Sequence, residues 1–384
     1  MPTRPAHPRA LLLIPAGLAL LAGLDGALLL LGLAAPVSSE RWEQVHGPLM
    51  VLGFVGTVIA LERAVALRRP WGYLAPTLLG VGALALLAPI PLRAGQALLT
   101  LGTIALLLVY RAIWRRGPAL PLAVEILGAA SATGAAALWL AGVAVPFLAP
   151  WLVGFLVLTI LGERLELSVV GLTTTAQPPR AQVLATALGG LWLLAAATAL
   201  VLPTVGYLLL GLTLLTLVAV VGTADVARRT IRTGGLTRFM AAAMLAGYVW
   251  LAVAGATWLV AGPLWQGPGY DAVLHAVFLG FVISMIIAHA PVILPAVIRR
   301  PLPYRPVLWV PLVLLHASLL TRVLLGDAWG VPAAVAASGV ANIVALLLFV
   351  MLAAGSVVLG APSSRPRAAE PAPAAPALTL GTTR

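Results

Sequence analysis

The chain has 384 residues, of which 61% are hydrophobic and only 9% are charged, and its mean hydropathy is +1.07. So few polar groups cannot cover a water-exposed surface, which excludes a soluble domain. The sequence contains no cysteine and no lysine. These absences exclude thiolate metal sites, disulfides, covalently attached haem and any chemistry that starts from a lysine Schiff base.

Apolar segments of about 20 residues, enough to cross a hydrocarbon core of ~30 Å, follow one another along the chain. They predict spans at 10–35, 45–67, 71–91, 94–114, 119–142, 146–170, 180–202, 204–227, 236–261, 271–297, 305–325 and 331–360. The expected fold is all-α, a polytopic membrane bundle of about twelve transmembrane helices. Residues 10–360 form a single transmembrane domain in this scheme. Residues 1–9 are predicted to be a cytoplasmic tail, and the Pro-rich and Ala-rich residues 361–384 a disordered cytoplasmic tail.

The net charge of +12 is distributed unevenly over the predicted loops. Arginines recur on one side of the alternating spans, at 4 and 9, 68 and 69, 115 and 116, 228 and 229, and 299 and 300. The loops on the other side carry only Arg41 and Arg93. This positive-inside asymmetry predicts that both termini lie in the cytoplasm of a bacterial or archaeal cell with the bundle in its inner membrane. The charge thus reports topology and a lipid environment, and it does not indicate a nucleic-acid partner.

Three spans share a motif in which Gly-Phe is followed by a polar residue nine positions after the glycine. The copies are GFVGTVIALE from Gly53 to Glu62, GFLVLTILGE from Gly154 to Glu163, and GFVISMIIAH from Gly280 to His289. Repetition at this scale predicts three related helices, each the second of a four-helix group. The groups cover roughly 10–114, 119–227 and 236–360.

The topology assigns a depth to each polar residue at about 1.5 Å per residue. His46 and His275 lie at similar depth near the outer ends of the second and tenth spans. An inner polar ring is predicted nearer the cytoplasm, made of Glu62, Arg63, Glu163, Arg164, Glu166 and His289. The ring has two interpretations, ion pairing that stabilises the bundle or a path for protons or ions.

The outer histidines are candidate ligands, because a neutral imidazole is a common ligand for iron and copper. Two facing helices with histidines at one level can hold a haem between them. His275 and His289 are about 21 Å apart along one helix, so they cannot bind the same metal. His289 with His316 is a second candidate pair, for copper or another metal. Alternatively, His289 bonds a backbone carbonyl freed by Pro291 and Pro295.

The layout resembles the catalytic subunit of haem-copper oxidases and nitric-oxide reductases. The resemblance rests on twelve spans in three groups, on HGPLM with His46 and Met50, and on YDAVLHAVFLGFVISM with His275. It implies that His46 and His275 are the axial ligands of a six-coordinate haem b. It also implies that Arg322, near the outer end of the eleventh span, contacts the haem propionates.

Two departures from that family matter for function. The family's copper ligands are histidines on the sixth and seventh spans, whereas this chain has no histidine between His46 and His275. Only one histidine opens the tenth span, where the family has two. The sequence is therefore more similar to the NnrS family of haem-containing and copper-containing membrane proteins linked to nitric-oxide stress. The motifs HGPLMVLGFVG and HAVFLGFVISMIIAHAP carry this resemblance.

The resulting functional prediction is a haem-binding membrane protein in nitric-oxide handling or membrane electron transfer, with a redox partner that the sequence does not specify. Whether the protein is an enzyme stays open, because electron transfer by a bis-histidine haem is not itself catalysis. The alternative is a proton-coupled secondary transporter that uses the inner acids and His289. Parallel threefold repetition counts against this alternative, because transporters are commonly built from twofold repeats.

Overall fold

The structure is a computed structural model that describes residues 8–169 and 179–360. All regular elements of these residues are helical, and twelve helices are long and apolar enough to cross a membrane. They span Arg9–Leu30, Glu40–Leu67, Pro70–Leu87, Leu92–Trp114, Leu120–Leu140, Val145–Leu167, Arg180–Val201, Pro203–Ala224, Gly235–Ala261, Gly267–Ile298, Pro306–Ala328 and Pro332–Leu359. The predicted all-α, twelve-span membrane bundle is confirmed. The predicted C-terminal tail and most of the N-terminal tail lie outside the described residues.

The first helix ends earlier than the predicted residue 35. Gly32 has a φ of +68°, and the N–H groups of Gly32 and Leu33 bond the carbonyls of Leu29 and Leu28. This is the Schellman arrangement, in which a left-handed glycine closes the last turn of a helix. The apolar sequence continues past Leu30, but the backbone does not, so hydropathy alone placed the end too late.

Consecutive spans pack side by side as antiparallel neighbours, joined by connections such as the four residues between Leu87 and Leu92. Their ends therefore alternate between two faces of the bundle. We call one face the arginine-rich end, which carries Arg68, Arg69, Arg115, Arg116, Arg228, Arg229, Arg299 and Arg300. The opposite face is the histidine end, which carries His46 and His275.

The three helices with the Gly-Phe motif meet inside the bundle. The second, sixth and tenth spans each contact the other two. The second and sixth are the most buried of all the spans, with 67% and 78% of their apolar windows covered. The motif thus marks three helices that contact one another, two of them the most buried spans, while the grouping of the spans into three repeated fours stays a prediction.

All three motif glycines lie where another side chain approaches closely. A Cβ added to Gly53, Gly154 or Gly280 would lie within 2.9 Å of Ala83, Trp192 or Trp250, respectively. In the second and tenth spans the glycine sits in a π-helical segment, Leu49–Val55 and Ala276–Ile283. The sixth span is α-helical throughout. π-Helical segments occur frequently at functional sites, and these two directly follow the turns that carry the outer histidines.

Close glycine contacts also set helix spacing elsewhere, which yields a test of the packing. A Cβ at Gly211 would lie 2.6 Å from the Leu259 backbone nitrogen and 2.8 Å from the Gly255 oxygen, whereas a Cβ at Gly190 would meet no atom within 4 Å. We predict that Gly211→Ala lowers the free energy of unfolding by about 1–3 kcal/mol, the cost of overpacking. Gly190→Ala should be neutral or slightly stabilising, because alanine is the better helix former.

The measurement is thermal unfolding of the purified protein in detergent, followed by circular dichroism. Equal midpoints for Gly211→Ala and the wild type would contradict the assigned contact between the eighth and ninth spans.

Candidate functional site

A cavity of about 610 Å³ opens at the histidine end, among the first, second, sixth, tenth, eleventh and twelfth spans. Its volume falls in the range of ~300–1,000 Å³ that is usual for ligand and cofactor sites. Most of its wall is aliphatic or aromatic, and both outer histidines line it. Residues that define its polar and apolar sides include His46, Met50, His275, Phe278, Arg322 and Asn342.

His46 is held by the backbone of the first span. Its Nδ1 lies 2.7 Å from the carbonyl oxygen of Gly23. Because a carbonyl only accepts hydrogen bonds, Nδ1 carries the proton and Nε2 keeps its lone pair. No described residue bonds that Nε2. His46 therefore has the tautomer that a metal ligand requires.

His275 has the same arrangement with different partners. Its Nδ1 lies 2.9 Å from the Asp271 carbonyl oxygen and 3.1 Å from the Asp271 Oδ1. Arg322 donates to both carboxylate oxygens of Asp271, through Nε at 2.6 Å and Nη2 at 2.9 Å. A histidine whose other nitrogen donates to a carboxylate is oriented and made more basic as a ligand. Asp271, four residues before His275 on the same helix face, was missed by the sequence reasoning.

Arg322 is 7% exposed and uses its Nε and Nη2 on Asp271. Arg322 thus positions His275 through Asp271. The predicted contact with haem propionates stays a prediction, and Nη1 is the guanidinium nitrogen outside the Asp271 pair. Arg322 also begins a third π-helical segment, Arg322–Ala328, so π-helix flanks the cavity on three spans.

Met50 lies one turn beyond His46, in the π-helical segment, and lines the cavity. Its thioether sulfur fills the space that a side chain on Gly23 would occupy, only 2.3 Å from an added Cβ. Gly26, one turn further along the first span, brings that helix close to the Trp42 carbonyl and to His46. The absence of side chains at Gly23 and Gly26 thus places His46 and Met50 against the first span.

His289 and His316, the other two histidines of the described residues, use both ring nitrogens within the protein. Trp250 Nε1 donates to His316 Nδ1 over 3.0 Å, and His316 Nε2 lies 3.2 Å from the Ser284 hydroxyl. His289 Nδ1 lies 2.7 Å from the Met285 carbonyl, and Arg164 Nη1 lies 3.2 Å from its Nε2. Neither ring offers a lone pair as arranged, and the described residues contain no group of three or more potential ligands. The structure therefore lends no support to a copper site at His289 and His316.

The prediction that His289 bonds a backbone carbonyl freed by Pro291 and Pro295 was wrong. Pro291 and Pro295 leave the carbonyls of Ile287 and Pro291 without their usual helical donors, four residues earlier in each case. His289 instead bonds the carbonyl of Met285. Its ring is held between its own helix and the guanidinium of Arg164.

The predicted inner ring divides into two clusters, because the adjacent Glu163 and Arg164 turn to different neighbours. Arg164 donates to Asp225 through Nε at 2.9 Å and Nη2 at 2.7 Å. Asp225 also accepts from the Tyr248 hydroxyl at 2.6 Å and from the Ala227 N–H at 2.8 Å. One positive and one negative charge thus meet with several hydrogen bonds, as a buried ion pair requires.

The second cluster centres on Arg63, from the second span. Arg63 hydrogen-bonds Glu163, approaches Glu62 at 3.5 Å and forms an ion pair with Glu125 at 3.2 Å. The Tyr110 ring lies under the guanidinium, with 5.8 Å from its centroid to Cζ. Glu166, predicted as a ring member, is exposed. Glu125 and Asp225 were missed, although an acid in an apolar span is by itself a signal of function.

Asp225 lies just beyond the end of the eighth span. Burial raises the pKa of its carboxyl, but the hydrogen bonds and the charge of Arg164 outweigh burial, so the pKa falls below the ordinary value of 3.8. A folded-state pKa below the unfolded value adds stability that is complete above the unfolded pKa and is lost as the pH falls through the folded pKa.

We predict that Asp225→Asn destabilises the protein by about 3–5 kcal/mol at neutral pH, because Arg164 would keep a buried charge without its partner. The same variant should lose less stability than the wild type when the pH is lowered through the acid range. Chemical unfolding at a series of pH values measures both effects. Glu166→Gln, at an exposed position, is the matched control. Parallel pH profiles for Asp225→Asn and the wild type would contradict the assignment.

Comparison with known proteins adds the family. No curated protein and no solved structure matches the chain. A protein family described as "Domain of unknown function (DUF8744)" matches residues 9–358, which include all twelve spans except the last residue of the twelfth. The chain therefore belongs to the DUF8744 family.

Proposed function

We propose that this membrane protein binds a haem in the cavity at the histidine end, with His46 and His275 as the two axial ligands. One observation carries the proposal: both histidines line the same cavity and both hold Nδ1 on a backbone carbonyl, so each has Nε2 available. The remaining two spanning histidines have both nitrogens engaged. The four histidines of the described residues thus separate into two suited to a metal and two that stabilise helix packing.

The donor set and the cavity suit a haem. Two neutral imidazoles are a common ligand pair for low-spin haem iron. The apolar part of the wall, including Leu24, Phe278 and Leu346, suits a flat hydrophobic macrocycle and keeps water away. Asp271 and the Gly23 carbonyl would orient the two rings. When bound, the cofactor would supply one-electron redox chemistry.

The ligand set favours electron transfer over turnover at the iron. His46 and His275 would both hold the cofactor, which would supply one-electron transfer. The sequence also lacks histidines on the sixth and seventh spans, where the haem-copper family has its copper ligands. The resemblance to the NnrS family supports a role in nitric-oxide handling through electron delivery to a redox partner.

The orientation is part of the proposal. The arginine-rich end would face the cytoplasm, because arginine in short loops is retained on that side of a bacterial or archaeal inner membrane. Both termini would then be cytoplasmic. The histidine cavity would open toward the outer side, where a redox partner outside the cytoplasm can reach it.

The ligands are tested by spectroscopy. We predict that the reduced-minus-oxidised spectrum of the purified wild-type protein contains haem bands, and that His46→Ala and His275→Ala each abolish them. His289→Ala and His316→Ala are the matched controls and should retain haem, because their rings bond only protein groups. Absence of haem bands from folded wild-type protein would refute the proposal. So would wild-type haem content in both His46→Ala and His275→Ala.

A second test targets the packing that places His46. A Cβ at Gly26 would lie 2.7 Å from the Trp42 carbonyl oxygen and 3.5 Å from the His46 Cβ, whereas one at Gly17 would meet no atom within 4 Å. Because backbone cannot yield as a flexible side chain does, Gly26→Ala should displace the second span at a cost of about 1–3 kcal/mol. We expect lower haem content per protein in Gly26→Ala and unchanged content in Gly17→Ala. Equal haem content in the two variants would contradict this role of the first span.

A further inference from the structure

The Arg63 cluster lies toward the arginine-rich end, away from the histidine cavity. We define it as Glu62, Arg63, Tyr110, Glu125 and Glu163, which come from the second, fourth, fifth and sixth spans. These helices pack tightly here: a Cβ on Gly162 would lie 2.5 Å from the Glu125 Cγ and 2.9 Å from the Pro121 oxygen. The backbone of the sixth span therefore covers Glu125.

The charges of this cluster do not balance. Three carboxyl groups contact one guanidinium, so full ionisation would leave a net charge of −2 inside the bundle. The neighbouring Arg164 cluster pairs one guanidinium with one carboxylate and satisfies both. Burying an uncompensated charge costs far more than binding a proton, so buried acids without a partner charge become neutral. The imbalance at Arg63 thus calls for an added positive charge.

Hydrogen bonding is incomplete at the same place. Glu125 is 0% exposed, and neither of its carboxyl oxygens has a hydrogen-bond partner among the described residues. The Arg63 Nε and the Tyr110 hydroxyl also lack partners in that part of the chain. Tyr110 is fully buried, and the Arg63 guanidinium lies over its ring. Glu125 Oε2 lies 3.2 Å from Arg63 Nη1 in an ion pair, but both Glu125 oxygens keep unused hydrogen-bonding capacity, so the cluster can receive a hydrogen-bonding ligand.

The carboxyl groups become less exposed along one direction. Glu166 is exposed, the Glu62 side chain is 27% exposed, Glu163 is 19% exposed, and Glu125 is 0% exposed. The exposed fraction of these carboxyl groups thus decreases from Glu166, at the arginine-rich end, to the buried Glu125.

We infer that the Arg63 cluster is a proton-binding site, with Glu125 as the buried group that holds the proton. A proton taken from water at the arginine-rich end converts the Glu125 carboxylate into a carboxylic acid, which removes one of the two excess negative charges. The groups that surround this acid are Glu62, Arg63, Tyr110, Glu163 and Glu166. The inference does not depend on haem at the histidine end, and it supplies a site at which electron or solute movement could be coupled to protons.

The test is infrared difference spectroscopy of the full chain in lipid nanodiscs. A protonated carboxylic acid has a carbonyl stretch that shifts in heavy water and is distinct from carboxylate bands. We expect this band at neutral pH in the wild type and its loss in Glu125→Gln, which keeps the side-chain shape. Glu40→Gln and Asp25→Asn are matched controls, an exposed acid and a second buried acid at the histidine end, and both should retain the Glu125 band. Thermal unfolding of each variant verifies that it is folded.

Three results would overturn the inference. The first is a wild-type spectrum without any protonated carboxyl band at neutral pH, which requires no variant. The second is an unchanged band in folded Glu125→Gln. The third is a band that disappears when sodium replaces a large organic cation at constant ionic strength, since the cluster would then bind a metal cation. Haem content, measured on the same samples, reports separately on the histidine cavity.

Discussion

The interior of this bundle has almost no water to satisfy polar groups, and this constraint shapes every feature described above. In such surroundings each backbone and side-chain group must find its partner within the chain. The helices satisfy the backbone, and most intramembrane side chains comply as well: Trp250, His316 and Ser284 form one hydrogen-bonded chain. Groups that break this rule are therefore informative, and two sets of them lie at opposite ends of the molecule.

At the histidine end the exceptions are two imidazole nitrogens that have no hydrogen-bond donor among the described residues. The Gly23 and Asp271 carbonyls fix the tautomers of His46 and His275, so that both Nε2 atoms are acceptors without a described donor. The same two spans turn π-helical directly after these residues. Arg322 holds His275 in place through Asp271, whereas the close packing of glycines on the first span holds His46 in place. The two rings thus have the same tautomer but are held by different neighbours.

At the arginine-rich end the exception is an excess of carboxyl groups around one guanidinium. The sixth span presents Glu163 to one side and Arg164 to the other. Arg164 belongs to a cluster whose charges balance, whereas Glu163 belongs to one whose charges do not. Arg164 forms a fully hydrogen-bonded ion pair with Asp225, which stabilises the bundle. Arg63 instead faces three acids, one of them the fully buried Glu125. A stabilising pair and a proton-binding cluster thus lie one residue apart on a single helix.

The amino-acid sequence by itself determined the all-helical, twelve-span architecture, because length and apolarity alone decide which segments cross a bilayer. The Gly-Phe repeat singled out three helices that contact one another in the structure, with close approaches at Gly53, Gly154 and Gly280. Only the tertiary structure decided the rest. Whether a histidine is a ligand or a packing group depends on what its second nitrogen meets, and whether an acid is balanced depends on contacts such as Arg63–Glu125, 62 positions apart in the chain. Hydropathy and spacing carry no information about such contacts, because they are made between helices.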